Sequence, residues 1–175
     1  MHSNNPSQHE KPNTLFYSLD RLMILSQNTQ FKHPLLSYTL VTLQFSLMAG
    51  LIWVLPWNIA WQALPLQLLA IAIGLWALKT MHIGNFNIVP DPQQRMKLVT
   101  TGPYQYVRHP MYLSILLLFF PWVLLHASII SLFALGSLIL TLLFKLHYEE
   151  RLLVECLADY SLYQNKTKKL IPFIY

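Results

Sequence analysis

Apolar runs alternate with short polar stretches along this chain. Four runs, 34–55, 65–78, 111–125 and 127–146, each reach or approach the roughly 20 helical residues that cross a hydrocarbon core, the second and third being short. A helix satisfies all its backbone hydrogen bonds internally, so the pattern predicts an all-α, polytopic membrane protein with about four transmembrane helices. Residues 1–33 form a polar N-terminal tail in which LFYSLDRLMIL, Leu15–Leu25, is a candidate interfacial helix. Beyond the fourth run, HYEERLLVECLADYSLYQNK predicts an amphipathic helix in the cytoplasm. At about 100° per residue, Leu152, Leu153, Val154, Cys156, Leu157 and Tyr160 share one apolar arc, and Arg151, Glu155 and Asp159 lie opposite.

Composition agrees, since 54% of residues are hydrophobic and 11% charged, where a soluble domain carries about a quarter charged. The net charge of +5 invites a nucleic-acid reading, but the distribution of the cations excludes it. Lys11, Arg21 and Lys32 precede the first run. Lys79, Arg95, Lys97 and Arg108 lie between the second and third, and Lys145, Arg151, Lys166, Lys168 and Lys169 end or follow the fourth. The two opposite turns carry none. By the positive-inside rule both termini and the 79–110 segment face the cytoplasm. Trp53, Trp57 and Trp61 flank the first uncharged turn, where indoles favour the interface. The single cysteine, Cys156, rules out an internal disulfide. The histidines show no metal-ligand spacing, so no metal is expected, and no nucleophile elbow, P-loop or dinucleotide fingerprint is present.

Two places carry candidate chemistry. GPYQYVRHPMY, Gly102–Tyr112, collects an Arg, a His, two prolines and three tyrosines just before the third run. Pro110 suits the first turn of that helix and pushes His109 into an extended conformation. A helix start of this kind draws anions, and Arg108 strengthens the field. In the plainer alternative, Arg108 and His109 are interfacial anchors and Tyr104, Tyr106 and Tyr112 an aromatic belt. The second place is Glu149–Glu150, which falls inside the apolar arc although the same helix offers a solvated face. A buried carboxylate needs a partner, for which Arg108 or a bound cation are candidates; otherwise both acids snorkel to water.

LVTTGPYQYVRHPMY, an apolar hairpin, Glu149–Glu150, and then Tyr160, Tyr163 and Pro172 resemble the core of integral-membrane methyltransferases typified by isoprenylcysteine carboxyl methyltransferase, with phospholipid N-methyltransferases as relatives. The resemblance covers residues 79–175 and makes 34–175 a single methyltransferase-like domain. Two family features are missing: a Phe-Gly pair, replaced here by Leu157-Ala158, and a Val-Pro, replaced by Thr167-Lys168. Cofactor binding therefore carries over better than substrate identity. The resemblance implies an enzyme that binds S-adenosylmethionine and methylates a lipophilic small molecule or lipid entering from the bilayer. Arg108, Glu149 and Glu150 are its expected catalytic residues. Tyr104, Tyr106, His109, Pro110, Tyr112, Glu149 and Glu150 are expected at the cofactor. Isoprenylated thiol acids, phospholipid amines, small thiols and quinone-like lipids all remain as acceptors. A non-catalytic scaffold that binds anionic lipid or a protein partner is the alternative, and a reductase-like use of the same core with a nicotinamide cofactor is a third reading.

Overall fold

A computed structural model of the chain describes residues 34–57, 61–81, 98–172 and 174. The N-terminal tail with its candidate helix at 15–25, and the 82–97 stretch of the cytoplasmic loop, lie outside the described residues.

Five α-helices and one 3₁₀ turn make up the regular structure of these residues: α1 (Pro34–Val54), α2 (Leu64–Met81), the 3₁₀ turn (Gly102–Gln105), α3 (Pro110–Leu125), α4 (Ile129–Cys156) and α5 (Tyr160–Lys166). Strand-like pairing among them is confined to one parallel bridge, Val107 to Lys168. Prolines set several boundaries. Pro65 sits in the first turn of α2 and Pro110 opens α3, positions where the missing N–H costs nothing. α1 stops just ahead of Pro56, which disfavours a helical Leu55. α4 begins with a capping box: Ser128 Oγ accepts from the Ser131 N–H and Ser131 Oγ from the Ser128 N–H, so two donors at the helix start are satisfied reciprocally.

Three of the helices, α1, α2 and α4, are long and apolar enough to cross a membrane. The expected third span is shorter. α3 has 16 residues, about 24 Å against a hydrocarbon thickness of about 30 Å. It packs along α2 and turns through His126–Ser128 into α4. The expected fourth span is longer than its apolar run, because the 28 residues of α4 continue as one helix through the Glu149–Glu150 pair. The predicted amphipathic helix is thus the last turns of α4, a break at Leu157–Asp159, and the separate seven-residue α5. Its buried face is narrower than the predicted arc. Leu152 and Tyr160 are buried, whereas Val154 and Cys156 are exposed.

α2 and α3 meet through small residues. Ala70 and Ala77 are fully buried, and a Cβ added at Gly74 would stand 3.1 Å from Ser114 Oγ of α3. Small side chains at such crossings let backbones approach closely in lipid. The apolar core lies elsewhere, where Leu51 of α1 and Leu55 just beyond it, Phe119 and Val123 of α3, and Leu135, Leu138, Leu142 and Leu146 of α4 converge. Outward-facing apolar residues such as Leu68, Leu75, Phe133 and Phe144 are exposed, as a lipid-facing surface requires. Trp53, Trp57 and Trp61 are exposed around the uncharged α1–α2 turn, 86%, 82% and 71% accessible, where the sequence places the interface.

Candidate active site

The 102–112 segment is pinned at both ends. At Gly102 the backbone takes φ +61°, a left-handed conformation that favours glycine. A Cβ there would also stand 2.5 Å from Thr80 Oγ1, so the segment starts pressed against the end of α2. Further on, residues 106–109 run beside 168–169. Arg108 N–H donates to Lys168 O at 2.8 Å, His109 N–H to Lys169 O at 3.1 Å, and Lys168 N–H to Tyr106 O at 3.2 Å. His109 then precedes α3 with φ −122° and ψ 60°, which is neither helical nor the fully extended backbone expected ahead of a proline.

This frame brings Arg108, His109 and Tyr112 onto the two glutamates of α4. Arg108 Nε donates to Glu150 Oε1 at 2.5 Å, with both side chains buried. The His109 ring lies between the acids, Nδ1 3.5 Å from Glu149 Oε2 and Nε2 3.5 Å from Glu150 Oε1. It stacks parallel on the Tyr112 ring, centroids 5.3 Å apart, and the Tyr112 hydroxyl donates to Glu149 Oε1 at 2.5 Å. Lys169 Nζ stands 4.0 Å from Glu150 Oε2. The acids therefore face the arginine-histidine corner and not bulk water.

Their environments nonetheless differ. Glu150 is enclosed by cations, as an ionised carboxylate shielded from water must be. Glu149 is only partly buried and lines a cavity of about 300 Å³, together with Tyr104, Arg108, His109, Pro110, Tyr112 and residues of α1 and α2. That volume is at the lower end of the roughly 300–1,000 Å³ range of small-molecule sites.

One placement departs from the sequence expectation, and another reaches beyond it. Besides pairing with Glu150, the Arg108 guanidinium reaches the C-terminal segment: Nη1 donates to Gln164 O at 3.1 Å and to Thr167 O at 2.5 Å. Its planar fork suits this, and a cation at the carbonyl end of α5 is favourable. Tyr106, expected at the cofactor, is 53% exposed and lies outside the cavity. What it contributes is the backbone carbonyl that receives Lys168.

Two residues that were not anticipated sit in the cavity wall. Lys145, buried in α4, donates to Gln44 Oε1 of α1 at 3.0 Å and lies 5.3 Å from the centroid of the Tyr112 ring, a cation–π distance. A signal for Lys145 existed, because it precedes Glu149 by four residues and so shares its helix face. Gln44 is the one side-chain amide in a span whose other polar residues carry hydroxyls.

Beside the cavity, α5 packs on the 3₁₀ turn, and the Tyr163 hydroxyl donates to Tyr104 O at 2.5 Å. Burial pushes the Tyr163 phenol up to about 12. Tyr104 and Tyr160 are raised further, also chiefly by burial. The Tyr104 hydroxyl is buried without a hydrogen-bond partner among the described residues, and Tyr104 is one of the residues that line the cavity. A buried polar atom of this kind calls for a partner.

In comparisons with known proteins, the family model for phospholipid methyltransferase matches residues 58–159, more than half of the 175-residue chain, and the match includes Arg108, His109, Glu149 and Glu150. No curated protein matches the chain.

Proposed function

The chain belongs to the phospholipid methyltransferase family, and from that premise we propose that it is an integral-membrane enzyme that uses S-adenosylmethionine to methylate a lipophilic acceptor, with both termini in the cytoplasm. Glu149 carries the reading: a carboxylate turned into a cavity and fixed by the Tyr112 hydroxyl at 2.5 Å. The donor set fits a ligand that bears positive charge and polar groups, since the wall combines this acid with the unpartnered Tyr104 hydroxyl. When bound, the sulfonium supplies an electrophilic methyl carbon, and the electron pair of the broken C–S bond stays on sulfur.

Each side chain then has a task. Glu149 offers negative charge to the cationic end of the ligand, and His109 and Tyr112 hold it in place. Glu150 and Arg108 act as positioning residues, locking α4 to the 106–109 segment and to α5. Tyr104 directs a buried hydroxyl at the polar part of the ligand. Phe45, Met48, Met111 and Ile115 give the cavity apolar walls, which exclude water and admit a greasy acceptor. Orientation and dryness supply much of the acceleration in such a displacement.

Isothermal titration of the full chain in detergent with S-adenosylhomocysteine tests the reading. The wild type is expected to bind, and Glu149→Gln to bind about tenfold more weakly, as for loss of one charge-assisted contact. A wild type that evolves no heat would overturn the proposal and favour a non-catalytic scaffold.

A further inference from the structure

The strap that follows α5 braces the corner with its backbone, and the side chains of α5 and the strap have a separate pattern. Residues 160–175 carry Lys166, Lys168 and Lys169 and no acid; Asp159 stands at the far end of α5, as its N-cap. Lys166 and Lys168 are exposed, and neither makes an ion pair among the described residues. Beside them Leu162, Ile171 and Ile174 are exposed, although this part of the chain lies outside the helices long and apolar enough to cross a membrane. Leu170, between the two groups, is buried in the apolar core and fixes the strap to the bundle.

α4 gives the depth of that strap. Counted from Ile129, Leu146 lies about 26 Å and Glu150 about 32 Å along the helix, on either side of the inner edge of a hydrocarbon slab about 30 Å thick. Lys169 Nζ stands 4.0 Å from Glu150 Oε2, and Lys169 O accepts from the His109 N–H at the start of α3. The strap is therefore level with lipid headgroups. Exposed isoleucines at that level reach the acyl boundary and exposed lysines reach phosphates, the combination that holds interfacial segments to anionic membranes.

We propose that residues 162–174 bind anionic phospholipid headgroups in the leaflet they face, and that this binding regulates the site by holding the strap against Arg108 and His109. The regulation rests on the methyltransferase reading, whereas the lipid binding does not. Zwitterionic lipid satisfies the apolar side chains alone, and anionic lipid satisfies the lysines as well. The segment so held carries the carbonyls of Gln164 and Thr167 that accept from the Arg108 guanidinium, and those of Lys168 and Lys169 that accept from the backbone of Arg108 and His109.

Amide hydrogen exchange of the full chain in nanodiscs tests this, because the N–H groups of Arg108, His109 and Lys168 that bridge to the strap exchange when it opens. With about 30% phosphatidylglycerol in phosphatidylcholine, these amides should exchange about tenfold more slowly than in phosphatidylcholine alone, the scale of one to two lysines at an anionic surface. Amides in the middle of α4 should not change. The pair Lys166→Gln, Lys168→Gln should abolish the difference, and the pair Lys166→Arg, Lys168→Arg should keep it. Affinity for S-adenosylhomocysteine should rise several-fold with the anionic lipid in the wild type and not in the glutamine pair. Equal exchange by the wild type in the two lipids would overturn the proposal, even if no variant folds. So would a slowing shared equally by α4, a difference that survives the glutamines, or one that inorganic phosphate reproduces in phosphatidylcholine discs, the mark of a soluble-anion site. Slower exchange with an unchanged affinity for S-adenosylhomocysteine removes the regulation; slower exchange with no heat in either disc counts against the methyltransferase reading alone.

Discussion

The two helix pairs of the bundle solve the same problem in opposite ways. α2 and α3 meet through Ala70, Gly74, Ala77 and Ser114, with Gln67 Nε2 donating to Leu118 O at 3.4 Å. Close backbones and one side-chain-to-carbonyl tie leave little room there. α1 and α4 meet through bulky leucines toward one end and through Gln44 and Lys145 toward the other, where the cavity opens. The comparison teaches that the closely packed pair is the scaffold, and that the ionisable groups gather where large side chains keep helices apart.

The largest disturbance is expected where charge is most enclosed. Glu150→Ala strands the Arg108 guanidinium in a buried site, and loss of one partner of such a pair costs about 3–5 kcal/mol. Denaturant unfolding in micelles should show this, with Glu150→Gln less affected. A loss well below 1 kcal/mol would mean that water reaches the corner and that the contrast between the two pairs is weaker than drawn.

The scaffold side yields next. Gly102→Ala forces a side chain into φ +61° and against Thr80 Oγ1, for about 1–3 kcal/mol of strain. Adding Thr80→Ala should recover only part of the loss, because the backbone angle is unchanged. Gly74→Leu overpacks the α2–α3 crossing at a cost of about 1–3 kcal/mol. The same substitution at Gly50, where an added Cβ meets nothing within 4 Å, should be tolerated better. Similar losses at Gly74 and Gly50 would remove the distinction between close and open crossings.

The smallest effect lies in the buried tyrosines. The Tyr163 phenol is raised to about 12 from an unfolded value of about 10, so the folded state holds this proton more tightly. Its contribution to stability is complete below about pH 10 and is lost as pH rises toward about 12. Tyr163→Phe should flatten this alkaline fall and cost about 1 kcal/mol at neutral pH through the lost bond to Tyr104 O. Alkaline difference spectroscopy alongside unfolding checks both.

Much of the corner was legible because its residues are out of place in their surroundings. Two acids on an apolar arc require partners, and a proline ahead of an apolar run marks a helix start; both features are present in the structure, although His109 has φ −122° with ψ 60° and not the extended backbone expected of it. Arg108 was legible as a partner of the acids, but its other partners were not: they include the carbonyls of Gln164 and Thr167, and backbone acceptors leave no trace in residue identity. The stop at Leu157 was equally silent. No Gly or Pro marks it, and it coincides with Tyr160 and Tyr163 being drawn into burial. Tyr106 was placed by analogy with its neighbours, but it closes the 3₁₀ turn with φ −103° and ψ −47°, and there its side chain is exposed while that of Tyr104 is buried. Lys145 could have been found by weighing one cation in an apolar run as heavily as two anions.

The pairing of residues 106–109 with 168–169 has a consequence for biosynthesis. α1 to α4 can enter the bilayer as the ribosome delivers them, but Arg108 lacks its carbonyl partners at Gln164 and Thr167, and Glu150 lacks Lys169, until the chain through Lys169 has left the exit tunnel. Until then the corner behind the cavity is incompletely braced. Maturation of this enzyme therefore ends with a docking event at the membrane surface, after insertion is complete.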